Sequence, residues 1–207
     1  MIHLFHGFLG RPEDLSFFSE WGETQSYDML SFDDETFTCK ESDILVGYSM
    51  GGRVALKIAH RLNYKIKKII ILNANPNKLS EDEKAARLNF EESVKEKMLT
   101  MSVSDFLQYW NGLSIFKDDA PISEVTESEL RQWAGVFAKH RLSDQADYLA
   151  DLKNHPYQFS WIVGSLDKKY LDIAQKSELS FFTIPAGHRL FQHPKKIIDL
   201  IKKENIL

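Results

Sequence analysis

The sequence predicts an α/β domain built on an open parallel sheet with helices on both faces. Short apolar runs bounded by turn residues recur at 2–5, 27–32, 43–47, 67–73, 159–164 and 180–184, each the length of a buried strand. Helical spacing occupies most of the gaps, notably 51–62 and 194–203, and strands alternating with helices assemble into a parallel sheet because parallel neighbours need a crossover. The third observation is local. Ile44-Leu45-Val46-Gly47-Tyr48-Ser49-Met50-Gly51-Gly52-Arg53-Val54-Ala55-Leu56 is an apolar strand that turns through a serine between glycines directly into a helix.

At 207 residues the chain fits one domain with a modest insertion and can bury a sizeable core. With 26 Lys+Arg against 30 Asp+Glu and a formal charge of −4, it offers no electrostatic case for nucleic acid or an anionic membrane. Cys39 is the one cysteine, which rules out an intramolecular disulfide and a multi-thiolate metal site. The apolar start carries no basic leader, and no apolar run approaches the ~20 residues of a membrane span. These features together predict a cytoplasmic protein that uses neither metal nor cofactor and meets a small molecule rather than nucleic acid or membrane.

Taken in order, the first strand runs into His6-Gly7-Phe8-Leu9-Gly10, whose glycines allow a loop that turns the Phe8 amide toward the site. The strand at 43–47 leads into the G-x-S-x-G turn, which lifts the Ser49 hydroxyl above the sheet edge and aims the Met50 amide at the same point. Between the strand ending near Ala74 and the one starting near Gln158 lie more than 80 residues of helical pattern. Ser80-Glu81-Asp82-Glu83 caps a charged helix running to about Met98, and further helices are expected at 103–110, 127–139 and 143–152. The predicted organisation is a core of 1–74 and 153–207 with a helical cap, 75–152, acting as a lid. The strand at 159–164 ends in Gly164-Ser165-Leu166-Asp167, and the last strand in Pro185-Ala186-Gly187-His188.

The order of these four segments carries the functional expectation. Each candidate follows a predicted strand and so falls on one sheet edge: an oxyanion loop, then Ser49, Asp167 and His188. In that arrangement His188 takes the Ser49 proton and Asp167 orients the imidazole, while Phe8 and Met50 supply a two-donor oxyanion hole. His6, His3 and His193 compete for the base role, but His6 belongs to the oxyanion loop and His3 lies within a strand.

Through HGFLG at 6–10, GYSMGG at 47–52, GSLD at 164–167 and AGH at 186–188, the chain resembles the α/β-hydrolase superfamily. The likeness implies a trimmed member of about six parallel strands, lacking the superfamily's first two strands and with only a short link from 27–32 to the elbow strand. Within the superfamily, Gly47 to Ala55 is similar to the elbow of the 2-succinyl-6-hydroxy-2,4-cyclohexadiene-1-carboxylate synthases of menaquinone biosynthesis.

That resemblance implies a substrate pocket formed by Arg53, Arg87 and Trp110, with Tyr48 beside the serine and His6 in the adjoining loop. It implies an anionic substrate carrying several carboxylates, which arginine holds through paired hydrogen bonds. The implied reaction is a lyase step, with Ser49 and His188 acting as base and pyruvate leaving without an acyl-enzyme. The family's further basic residue late in the cap falls near Lys139 and Arg141, without a choice between them. The alternative is a carboxylesterase or thioesterase with an acyl-serine intermediate. A non-catalytic binding protein fits poorly, since all three triad positions are filled.

Overall fold

Period-two alternation deals the apolar residues of each strand to opposite faces of one sheet. In β3 (Ile44–Tyr48), Ile44, Val46 and Tyr48 pack in one core and Leu45 in the other; in β4 (Lys68–Leu72), Ile70 and Leu72 join the first and Ile69 and Ile71 the second. β1 (Ile2–Phe5) and β5 (Phe159–Gly164) are divided in the same way, and both are fully buried. β2 (Thr24–Tyr27) and β6 (Phe182–Ile184) form the edges. The computed structural model describes all 207 residues and orders the six strands β2-β1-β3-β4-β5-β6, every neighbouring pair parallel.

On one face lie α1 (Met50–Arg61) and the greater part of the core; on the other, α7 (Pro194–Lys203) and a 3₁₀ segment at Pro12–Trp21 bring Ile197, Ile201, Leu15 and Phe18. Between β4 and β5 the chain forms α2 (Glu81–Thr100), α3 (Val103–Asn111), α4 (Glu127–Lys139) and α5 (Leu149–Asn154); α6 (Lys168–Lys176) follows β5. The inserted helices reach the strand ends, where Phe8 meets Trp110, Trp133 and Phe137. The strand order reverses between β1 and β3, so the loops leaving their carboxyl ends diverge and open a crevice there. No helix is long and apolar enough to cross a membrane.

The structure corrects three boundaries. The run at 27–32 is not a strand; pairing occupies Thr24–Tyr27, and Asp28 starts a turn by accepting the Leu30 amide on its side chain. Met29 is buried from that loop, so its hydrophobicity serves packing rather than pairing. The last strand is shorter than 180–184, covering Phe182–Ile184. The helix expected over 143–152 begins only at Leu149; before it, Leu142 and Ser143 give their amides to the Glu91 carboxylate and the Gln145 amide closes a turn on the Leu142 carbonyl.

Candidate active site

Ser49 is held at φ 51° and ψ −111°, a conformation that residues with a Cβ rarely adopt. Two glycines allow it. A Cβ on Gly47 would press into the backbone of Gly51 and Gly52, and one on Gly51 would collide with the Phe5 and His6 carbonyls. The strand, the turn and α1 therefore approach at backbone contact distance, and the Ser49 amide is fixed to the Leu72 carbonyl of β4 at 2.9 Å. Met50 begins α1, where first-turn amides have no intrahelical acceptor.

The Ser49 hydroxyl lies 3.0 Å from His188 Nε2, and His188 Nδ1 lies 2.7 Å from Asp167 Oδ2. Asp167 and His188 are both buried. The second Asp167 oxygen accepts the Tyr170 amide at 3.2 Å, capping α6 and fixing the carboxylate. With Nδ1–H donated to Asp167, the Nε2 lone pair faces the serine hydroxyl.

The histidine loop is gripped from two sides by residues that sequence reasoning missed. From the sheet, Asn73 donates to the Gly187 and His188 carbonyls at 3.0 and 2.8 Å and accepts the Gly164 amide at 2.9 Å, joining the loops after β5 and β6. From the helical insertion, Asp119 accepts the His188 amide at 2.9 Å. Asn73 sits just past β4 on the same edge, so the rule that located Ser49, Asp167 and His188 could have found it. Asp119 lies in an irregular stretch and carries no such signal.

Gly7 to Gly10 form a tight turn closed by the Gly10 amide on the Gly7 carbonyl at 3.1 Å, with Leu9 at φ 56° in its third position. Phe8 occupies the second position and its amide has no backbone acceptor. His6 is turned away from the cavity: Nδ1 bonds the Gly7 carbonyl at 2.9 Å and Nε2 accepts the Met29 amide at 3.2 Å. Both ring nitrogens are thus occupied, and burial lowers its pKa, so His6 is a neutral brace for the loop rather than a ligand contact. His3, the other early candidate, is bonded to Tyr27 and Asp43.

Above the serine lies a cavity of about 650 Å³ that brings together Phe8, Ser49, Met50, Arg53, Arg87, Trp110 and His188. Arg53 donates to the His140 carbonyl at 2.8 Å and meets no carboxylate; burial brings its pKa down to about 10, which still leaves it charged at neutral pH. Arg87 is partly neutralised by Glu91 at 2.8 Å and lies over the Phe90 ring. Lys169 and Tyr170 also line the cavity, and neither was singled out from the sequence.

Tyr48 does not line that cavity. Strand alternation puts it on the face shared by Ile44 and Val46, where its ring packs on Phe191 and against His188 at 5.2 and 5.6 Å, bordering a separate pocket of about 30 Å³ that Ser49 and His188 also line. Lys139 and Arg141 are also spoken for, paired with Asp34 and Glu92 away from the cavity.

The sheet order and the strand-end constellation define an α/β-hydrolase fold. No family model matches the chain. It is similar to the 2-succinyl-6-hydroxy-2,4-cyclohexadiene-1-carboxylate synthase of Enterobacter sp., 25% identical over 151 residues that cover 70% of this chain and 58% of that one. A Haemophilus influenzae protein provisionally given the same name is 26% identical over 154 residues, 70% of this chain and 62% of its own. These alignments therefore span about three fifths of each relative's length.

Among solved structures, MenH from S. aureus superposes with a TM-score of 0.77 at 17% identity, covering 99% of this chain and 94% of that one. A carboxylesterase structure from Nitrososphaera gargenis gives 0.64 at 16% identity, covering 99% and 89%.

Proposed function

We propose that this chain is a lyase that eliminates pyruvate from a polycarboxylate intermediate of menaquinone biosynthesis, with Ser49, His188 and Asp167 acting as base. One observation carries the reading: the Ser49–His188 pair opens into a cavity where Arg53, partly buried, presents its charge without a carboxylate in salt-bridge contact. A cation partly withdrawn from water and without a contacting counter-ion is stabilised when a ligand supplies one. The synthase names borne by the relatives point the same way.

In the proposed step, His188 Nε2 receives the Ser49 proton as Ser49 Oγ removes a carbon-bound proton from the substrate. The electron pair released forms a carbon–carbon double bond while the carbon–oxygen bond to the pyruvyl group breaks. The pyruvyl group departs as the enolate of pyruvate, which takes up at carbon the proton that His188 received and becomes pyruvate, returning Ser49 and His188 to their starting protonation once Ser49 keeps the substrate's proton. The Phe8 and Met50 amides stabilise the negative charge that develops on substrate oxygen, and Asp167 supports the transient imidazolium. The inserted helices act as a cap that limits water at the serine.

A second reading, ester hydrolysis through an acyl-serine, draws support from the apolar part of the cavity wall, including Leu113, Ile115 and Ile173. Pyruvate release from the pathway intermediate, assayed beside hydrolysis of p-nitrophenyl acetate, separates the two. Pyruvate without ester turnover supports the lyase; ester turnover alone supports the hydrolase.

A further inference from the structure

Six charged side chains border the cavity, and four of them are already engaged within the protein. Arg87 pairs with Glu91 at 2.8 Å, Asp172 with Lys176 at 2.8 Å, Lys78 with Glu81 at 3.8 Å, and Glu83 closes the cap of α2 on Ser80 at 2.7 Å. Arg53 and the exposed Lys169 line the same cavity without a carboxylate in salt-bridge contact. They enter from different elements, Arg53 from the first turn of α1 beside the serine and Lys169 from the first turn of α6, two residues past Asp167. Surrounding protein lowers the pKa of both and Arg87 lowers each further, while Glu91 acts the other way on Arg53 and Asp167 and Glu83 on Lys169. Cations gathered around one cavity repel one another, and a bound anion relieves that repulsion.

We propose that Lys169 forms a second anion subsite that receives a carboxylate of a substrate whose other carboxylate is held by Arg53. This rests on the anionic-substrate reading above and adds a specificity residue to it: two separated cations select a molecule with two separated carboxylates over one with a single carboxylate. As a compact ammonium on a flexible stem, Lys169 suits a carboxylate reached without bidentate geometry, whereas the planar Arg53 fork favours a fixed one.

The test uses the whole protein and needs no turnover. Trp110 lines the cavity, so tryptophan fluorescence reports occupancy. Native protein, Lys169→Gln and Lys169→Arg are titrated with glutarate and with propionate, and circular dichroism and thermal midpoints establish that the variants are folded. Glutarate binding weakens about tenfold in Lys169→Gln and returns to within about threefold of native in Lys169→Arg, while propionate binding stays unchanged. Equal weakening of both ligands in Lys169→Gln, no weakening of either, or no saturable glutarate binding by native protein overturns the subsite. Failure of the lyase reading has a different signature, namely absence of pyruvate release with the selective dicarboxylate binding intact.

Discussion

Asp119 Oδ2 accepts the backbone amide of His188 at 2.9 Å, so the helical insertion grips the residue whose ring faces Ser49. Neighbouring contacts reinforce the hold: Arg189 donates to the Ala120 carbonyl at 2.6 Å and to Asn111 at 2.8 Å, and Gln192 bonds Ala120 in both directions. Asn73 holds the same loop from the sheet side. His188 is therefore placed jointly by the sheet and the insertion.

Asp119 is accordingly a positioning residue. Asp119→Ala removes a charged acceptor, a loss of about 1.5–3 kcal/mol, and is expected to lower kcat roughly 10- to 100-fold with KM changed little. Asp119→Asn keeps an oxygen that accepts the His188 amide and recovers most of the rate. Steady-state kinetics on both variants check this; a loss of kcat that Asn does not restore points to general destabilisation instead.

The contribution of Arg53 is charge-specific. Arg53→Ala is expected to raise KM for the anionic intermediate about 10- to 100-fold and to change p-nitrophenyl acetate hydrolysis, where measurable, by less than about twofold. Equal effects on both substrates count against carboxylate recognition.

His140, whose carbonyl holds Arg53, links the site to stability. Burial lowers its pKa from 6.5 to about 4; Asp34 at 3.9 Å opposes that shift, while Arg53, Lys139 and Lys57 reinforce it. The imidazole is thus neutral in the fold at pH values where the unfolded chain protonates it. The unfolded state binds more protons between pH 6.5 and about 4, so stability falls as pH drops through that window and levels off below it. The full effect is on the order of 3 kcal/mol. Asp34, held near 2 although its own burial acts against that, loses its charge only at lower pH, outside the window. Urea unfolding of native protein and His140→Gln from pH 7 to 4 checks the sign: the variant loses less stability on acidification.

Much of the fold and site was legible because β-strand periodicity and strand-end placement are written locally. Ile69 to Leu72 announce a strand buried on both faces; Asp167 stands just beyond another such strand and His188 follows the edge strand β6, so the parallel topology brings both to the sheet edge that carries Ser49. β2 was misplaced because an edge strand reading Thr-Gln-Ser-Tyr has no apolar run. The resemblance puts Tyr48 and His6 at the pocket, whereas side-chain direction decides contact; the alternation that aligns Tyr48 with Val46 directs it to a small pocket beside Ser49 and His188 rather than into the larger cavity. The contact of Asp119 with His188 depends on how the insertion docks, which no local pattern encodes, whereas the i,i+4 pairing of Arg87 with Glu91 and the place of Lys169 two residues past Asp167 are local and could have been read from the sequence.

The most direct test of the account is pyruvate release from the pathway's pyruvate-bearing intermediate by native protein and by Ser49→Ala, with matched circular dichroism. Native protein is expected to release pyruvate and the folded Ser49→Ala variant to lose about 10³-fold or more in kcat, because the hydroxyl that relays the proton to His188 is gone. Pyruvate release by Ser49→Ala at the native rate, or none by native protein, contradicts the account.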